Sequence, residues 1–138
     1  MLKINIDEMT RIIPSLINEK DYNSIVITGF GSVIDECVRK MQEYFEENNL
    51  EWCMVNLSQT VLNETMTGKQ VVVLEHLEEM TGEEMEDNFF EIYNFAVQND
   101  IKILITASEL RPNEMQGRNY SRIRRGIHIE LTKKDNSN

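Results

Sequence analysis

Apolar positions recur along the chain with two alternating periods. Met9, Ile12, Ile13, Leu16 and Ile17 share one face at helical spacing. Pro14 interrupts that face, so the spacing predicts a helix that is kinked at Pro14 or begins near it. After the turn-forming Asp21-Tyr22-Asn23, the run Ser24–Thr28 is short and β-branched, as in a strand covered on both faces. Gly29-Phe30-Gly31-Ser32 breaks it, and Val33, Ile34, Cys37, Val38, Met41, Tyr44 and Phe45 form the stripe of a second helix that ends at Asn48-Asn49. Trp52–Leu57 reads as a strand, 58–68 as an ambiguous stretch with a short helix through Val61, Leu62 and Met66, and Val71–Leu74 as a buried strand. A Glu-rich loop from Glu75 to Glu86 leads into a helix carrying Met85, Phe89, Ile92, Tyr93 and Ala96. Lys102–Thr106 gives a fourth strand. A polar, Arg-rich stretch follows, then an alternating strand from Gly126 to Leu131.

Strands alternating with amphipathic helices predict βαβ units and a mainly parallel, five-stranded sheet covered on both faces. The expected architecture is one three-layer α/β domain over residues 1–131, followed by a flexible tail over 132–138.

Charge and composition narrow the functions. With 24 acids against 14 bases the net charge is −10, which argues against a uniformly basic nucleic-acid binder. Cys37 and Cys53 are too few for a disulfide scaffold and lie in apolar patterns, as small buried residues of a reduced protein do. No apolar run reaches the ~20 residues of a membrane span, and Asp7 and Glu8 replace the basic start of an export signal. These features predict a soluble cytoplasmic protein. No Cys/His spacing fits zinc, and two histidines, His76 and His128, support no Ser-His-Asp constellation.

In α/β sheets ligands bind beyond the carboxyl ends of the strands. The first strand-to-helix junction here is Thr28-Gly29-Phe30-Gly31-Ser32-Val33-Ile34-Asp35-Glu36. Against the phosphate-loop pattern G-x-x-x-x-G-K-[ST], Gly29 takes the first glycine, Ile34 the second, Asp35 the lysine and Glu36 the hydroxyl residue. Two acids in the first helical turn would satisfy the helix dipole themselves, at roughly 0.3–1 kcal/mol each. The expectation is a degenerate nucleotide loop (Gly29, Gly31, Ser32, Asp35, Glu36) that holds no phosphate.

Further along, "VVVLEHLEEM", "EDNFFEIYNFAVQND", "KILITASELRPNEM" and "SRIRRGIHIEL" follow one another. This succession, over residues 10–131, resembles the AAA+ core of DnaA-type replication initiators and of DnaC/DnaI-type helicase loaders. The resemblance implies a P-loop-NTPase-like (AAA+ base) fold. Glu75 would stand on the metal-binding Walker B acid with His76 after it, Thr106 or Ser108 near sensor 1, and Arg122 at the arginine finger with Arg124 and Arg125 beside it. The chain departs from that family at three points: no phosphate-loop lysine, His76 for the second Walker B acid, and no helical lid with its sensor 2 arginine. The resemblance thus implies a protein without ATPase activity and without a bound cofactor, ATP and magnesium included.

Seven of the fourteen bases follow position 110 (Arg111, Arg118, Arg122, Arg124, Arg125, Lys133, Lys134), whereas residues 75–91 hold eight acids and no Lys or Arg. Taken with the resemblance, opposed clusters of this kind imply docking onto a replication initiator, helicase loader or helicase, or head-to-tail association of copies. A divergent nucleotide-binding ATPase and an accessory factor binding single-stranded DNA through the Arg cluster are the alternatives. Eight methionines, Met80, Met85 and Met115 among them, are read as gap-fillers of the core.

Overall fold

The computed structural model describes residues 1–59 and 63–133. The chain forms β1 (Leu2–Asn5), α1 (Ile6–Asn18), β2 (Ser24–Gly29), α2 (Gly31–Glu47), β3 (Trp52–Val55), α3 (Asn63–Met66), β4 (Val71–Leu74), α4 (Gly82–Gln98), β5 (Lys102–Ala107), α5 (Gly117–Ile123) and β6 (Ile127–Thr132). Single 3-10 turns lie at Leu77–Glu79 and Pro112–Glu114. The sheet has six strands in the order β1-β6-β2-β5-β4-β3, and every pair is parallel. All carboxyl ends therefore meet at one edge of the sheet and all amino ends at the other. Val61 and Leu62, read as part of a short helix, lie outside the described residues, as do Lys134 and the rest of 134–138.

Two apolar layers hold the sheet. On one face Ile25, Ile27, Leu104 and Ile129 pack under α1 and α2, against Met9, Ile13, Cys37, Met41 and Phe45. On the other, Val72, Leu74, Ile103 and Ile105 pack under α4 and α5, against Phe89, Ile92, Ala96 and Ile123. Met80 is buried in this second layer, with Met85 and Met115 packed against it, so the core-filling role read for them holds. Cys37 is fully buried, while Cys53 on the edge strand β3 is only half-buried.

Four features differ from the sequence reading. The sheet has six strands rather than five, because Leu2–Asn5 adds to the β6 edge with Leu2 opposite Ile129 and Ile4 opposite Leu131. Helix α1 starts at Ile6, not near Pro14. Asn5 and Glu8 form a capping box that fixes the start, and Pro14 lies inside the helix. α4 begins at Gly82, so only the first part of the Glu75–Glu86 segment is loop. β6 extends to Thr132, with Lys133 Nζ 4.8 Å from the Phe30 ring centre, so the regular structure runs past residue 131.

Candidate functional site

The central strand β2 is flanked by β5 on one side and β6 on the other, and its carboxyl end is where the chain order reverses. There a single residue, Phe30, separates the last residue of β2, Gly29, from the first of α2, Gly31. The Phe30 carbonyl accepts hydrogen bonds from the Val33 and Ile34 amides at 3.0 and 2.9 Å, which closes the first helical turn directly on the strand. A phosphate loop needs a run of residues here whose amides curl round the anion, followed by its lysine. This junction has neither. Gly29 is required by crowding: a Cβ there would lie 2.8 Å from the Leu131 carbonyl oxygen of the adjacent strand.

The acids expected in the first turn of α2 are not there. Because the helix starts at Gly31, its first turn holds no acid, and Asp35 and Glu36 stand exposed on the second turn. Ile34, aligned with the second glycine, is buried in the core instead. Dipole compensation by these two carboxylates is therefore lost, since the effect falls off beyond the first turn. Phe30 offers no capping oxygen and is 62% exposed, next to exposed Gly31 and Ser32.

The Walker B-like and sensor-like residues do come together. Glu75 follows β4 directly and is half-buried. His76 adopts a left-handed conformation (φ 60°, ψ 49°) that turns the chain into the Leu77–Glu79 turn. Its Nδ1 lies 3.1 Å from Glu78 Oε2, while Glu78 Oε1 accepts the Ser108 amide at 2.8 Å. Glu78 thus ties the ends of β4 and β5 together. Partial burial of the imidazole works against its charge, but the hydrogen bond to Glu78 and the carboxylates of Glu78, Glu79 and Glu75 outweigh it, so the His76 pKa is raised. His76, Glu78 and Glu79 could each offer one ligand atom to a cation, within 4.8 Å of one another. Thr106 is on β5 opposite Ile27 of β2. It is buried, and among the described residues its hydroxyl oxygen has no hydrogen-bond partner.

The arginine segment is a helix, α5, that the sequence pattern did not reveal. It is docked on α4 by polar contacts. Buried Glu86 accepts from the Asn119 side-chain amide (2.8 Å) and, through both carboxylate oxygens, from the Gln116 amide at the start of α5 (3.3 Å). Arg118 pairs with Asp87, and Arg118 and Arg122 both rest on the Phe90 ring, at 4.1 and 4.5 Å from its centre. Arg122 Nε also donates to Asn94 Oδ1 at 3.1 Å. The finger-like Arg122 is therefore half-buried against its own chain, whereas Arg124 and Arg125 are exposed. These two precede β6, so they lie at the amino end of the sheet, opposite Gly29, Glu75 and Ser108. Sequence reasoning missed Glu86, Asp87, Phe90, Asn94 and Asn119. The only signal was the helical spacing of the first four on α4, which reads as a solvated face until α5, with Asn119, is known to cover it.

Neither a protein-family model nor a curated relative matches the sequence. Solved structures do. AMPPCP-bound DnaA from Aquifex aeolicus matches at 12% identity and TM-score 0.70, over 90% of this chain and 44% of that one. DnaI matches at 13% identity and TM-score 0.69, over 99% and 96% of the two chains. The DnaC helicase loader matches at 11% identity and TM-score 0.67, over 91% and 89%. The chain spans less than half the length of the first initiator chains it matches. These neighbours have the P-loop, AAA+ base fold of replication initiators and helicase loaders, and this chain shares it. Among the described residues, no helix is long and apolar enough to cross a membrane.

Proposed function

We propose that this chain is a non-catalytic AAA+-like module that works by binding a protein of replication initiation: an initiator, a helicase loader or the replicative helicase. The observation that carries this reading is the one-residue junction at Phe30, which leaves the fold without the loop and lysine that phosphate binding needs. A fold that keeps its layers but not its phosphate loop has its surface left to act with. Arg124 and Arg125, exposed beside the tethered Arg122, supply the interaction edge. The fold neighbours include DnaA and two loaders, which sets the class of partner to test first.

The test is calorimetric titration of the purified chain with purified initiator, loader and helicase, without nucleotide. Saturable binding to one of them is expected, lost in Arg124→Glu/Arg125→Glu with the far-UV spectrum unchanged. Binding to none of the three, or turnover of ATP by the chain alone, would overturn the proposal.

A further inference from the structure

A small hollow opens at the amino end of the sheet, remote from Gly29 and Phe30. The residue ahead of β2, the last turn of α4 and the end of α5 meet there. Its volume is about 180 Å³, and Asn23, Asn94, Gln98, Arg122 and Arg125 supply its polar wall. Each of these side chains can donate hydrogen bonds, the arginines with positive charge and the carboxamides without. No carboxylate among the described residues lines the hollow, in a chain whose acids outnumber its bases by 24 to 14. Pockets for whole cofactors or drug-sized ligands run to roughly 300–1,000 Å³, so this one suits a single small anionic group.

The donors are held in place by contacts that leave their outer N–H groups unused. Arg122 rests its face on Phe90, donates from Nε to Asn94 Oδ1 at 3.1 Å and from Nη1 to the Arg118 carbonyl at 2.7 Å. Nη2 has no partner among the described residues. Because Asn94 Oδ1 accepts from Arg122, the free end of that carboxamide is its Nδ2 donor. The Tyr93 hydroxyl donates to the Arg122 carbonyl at 3.3 Å and fixes the backbone beside the hollow. Arg39, Arg111 and Arg118 each pair with a carboxylate, whereas Arg122 and Arg125 form no ion pair among the described residues. The carboxyl end of α5 favours a cation through its dipole. Its Tyr120, Arg122 and Ile123 carbonyls are nevertheless bonded by the Arg124, Arg125 and Gly126 amides, so neither guanidinium is occupied in capping them.

We propose that this hollow binds one phosphate monoester group, as the free ion or at the end of a small molecule, between Arg122 and Arg125 with Asn94, Gln98 and Asn23 as neutral donors. A monoester dianion offers three terminal oxygens and the charge to answer two guanidinium groups, whose planar N–H edges suit phosphate oxygens. A phosphodiester carries one charge, and a nucleic-acid strand would bring further phosphates against a surface of net charge −10. All the donors belong to one chain, so the site is complete without a second copy. Binding is weak and salt-sensitive, because Gln98 and Arg125 are exposed. The site goes beyond the protein-binding reading and needs only the purified chain, so either can fail alone.

The test is an NMR titration at low salt with inorganic phosphate, phenyl phosphate and dimethyl phosphate, following Arg122 Nε–H and the side-chain amides of Asn94 and Gln98. Inorganic and phenyl phosphate should give saturable shifts at these groups, with dissociation constants of about a millimolar or below. The diester should bind at least tenfold more weakly. Tighter binding of phenyl phosphate than of the free ion assigns the hollow to an organic monoester, and the reverse assigns it to inorganic phosphate. Arg125→Gln should weaken binding at least tenfold, and Gln98→Glu, which sets a carboxylate in the hollow, should abolish it. Both positions are exposed, so the far-UV spectrum should not change. Linear shifts without saturation, a diester that binds as well as the monoester, or variants that bind like wild type would each overturn the proposal.

Discussion

Replacing Glu86 measures how firmly the arginine helix is held. Its carboxylate is 4% exposed and bonds both the Asn119 side chain and the Gln116 amide, at the point where α5 begins. Glu86→Ala removes one short charge-assisted bond at 2.8 Å and a longer contact at 3.3 Å. The Asn119 amide keeps its second bond, to the Glu86 carbonyl at 2.9 Å, so it is not wholly orphaned. A bond to a charged group contributes about 1.5–3 kcal/mol, and the longer contact adds less. The expected loss is about 2–3 kcal/mol. In a chain of 138 residues that lowers Tm by about 7–10 °C. Urea unfolding followed by far-UV circular dichroism should show a lower midpoint with an unchanged slope. Glu86→Gln keeps the shape and one acceptor, and should cost about 1–2 kcal/mol, less than alanine. If Glu86→Ala costs under ~1 kcal/mol, or glutamine costs more than alanine, the carboxylate does not anchor α5 as described.

Three further outcomes follow from local geometry. Gly126→Ala would place a Cβ 2.4 Å from Ser24 Oγ and 2.8 Å from its carbonyl oxygen, whereas a Cβ at Gly31 meets nothing within 4 Å. The first should destabilise by about 1–3 kcal/mol and the second should be neutral or stabilising by up to ~1 kcal/mol, both read by thermal unfolding. An NMR titration of His76 should show a midpoint above the ordinary histidine value, moving down in Glu78→Gln. Because the folded-state pKa is the raised one, its contribution to stability is full below the unfolded value and is lost as pH rises through the folded value. Burial, with Glu36 nearby, pushes the Cys37 thiol up to about 12, and burial also raises half-buried Cys53. Alkylation followed by mass spectrometry should therefore label Cys53 first and Cys37 only on unfolding.

The elements read most easily from the sequence are those whose burial is local and complete. Val71–Leu74 and Ile103–Ile105 are buried on both faces, so an unbroken apolar run identifies them. β1 escaped notice because Ile4 is the one residue it buries in the core, Leu2 being exposed, and its identity as a strand comes from pairing with Ile129 and Leu131 more than a hundred residues later. α5 escaped because its inward face carries one apolar residue, Ile123, beside buried, polar Asn119. Asn119 stands where an apolar residue would mark the stripe, and its partner Glu86 is 33 residues away in the chain. The fold was legible through resemblance, but the register at the first junction was not. Alignment to a phosphate-loop pattern placed Asp35 and Glu36 in the first turn of α2, and only the one-residue connection shows them to be a turn further on. The opposed charge clusters were visible in composition, yet Arg118 and Asp87 neutralise each other within one chain, whereas Arg124 and Arg125 form no ion pair among the described residues.

The central claim is that the nucleotide end of this AAA+ fold is closed at Phe30. It is tested most directly by recording the amide resonances of Gly29 to Val33 while magnesium-ATP is raised to millimolar concentration. The account predicts no saturable shift at these amides, with any change small, linear and spread over exposed charges. Saturable shifts centred on Gly29, Phe30 and Gly31 would contradict it and return the chain to the nucleotide-binding proteins.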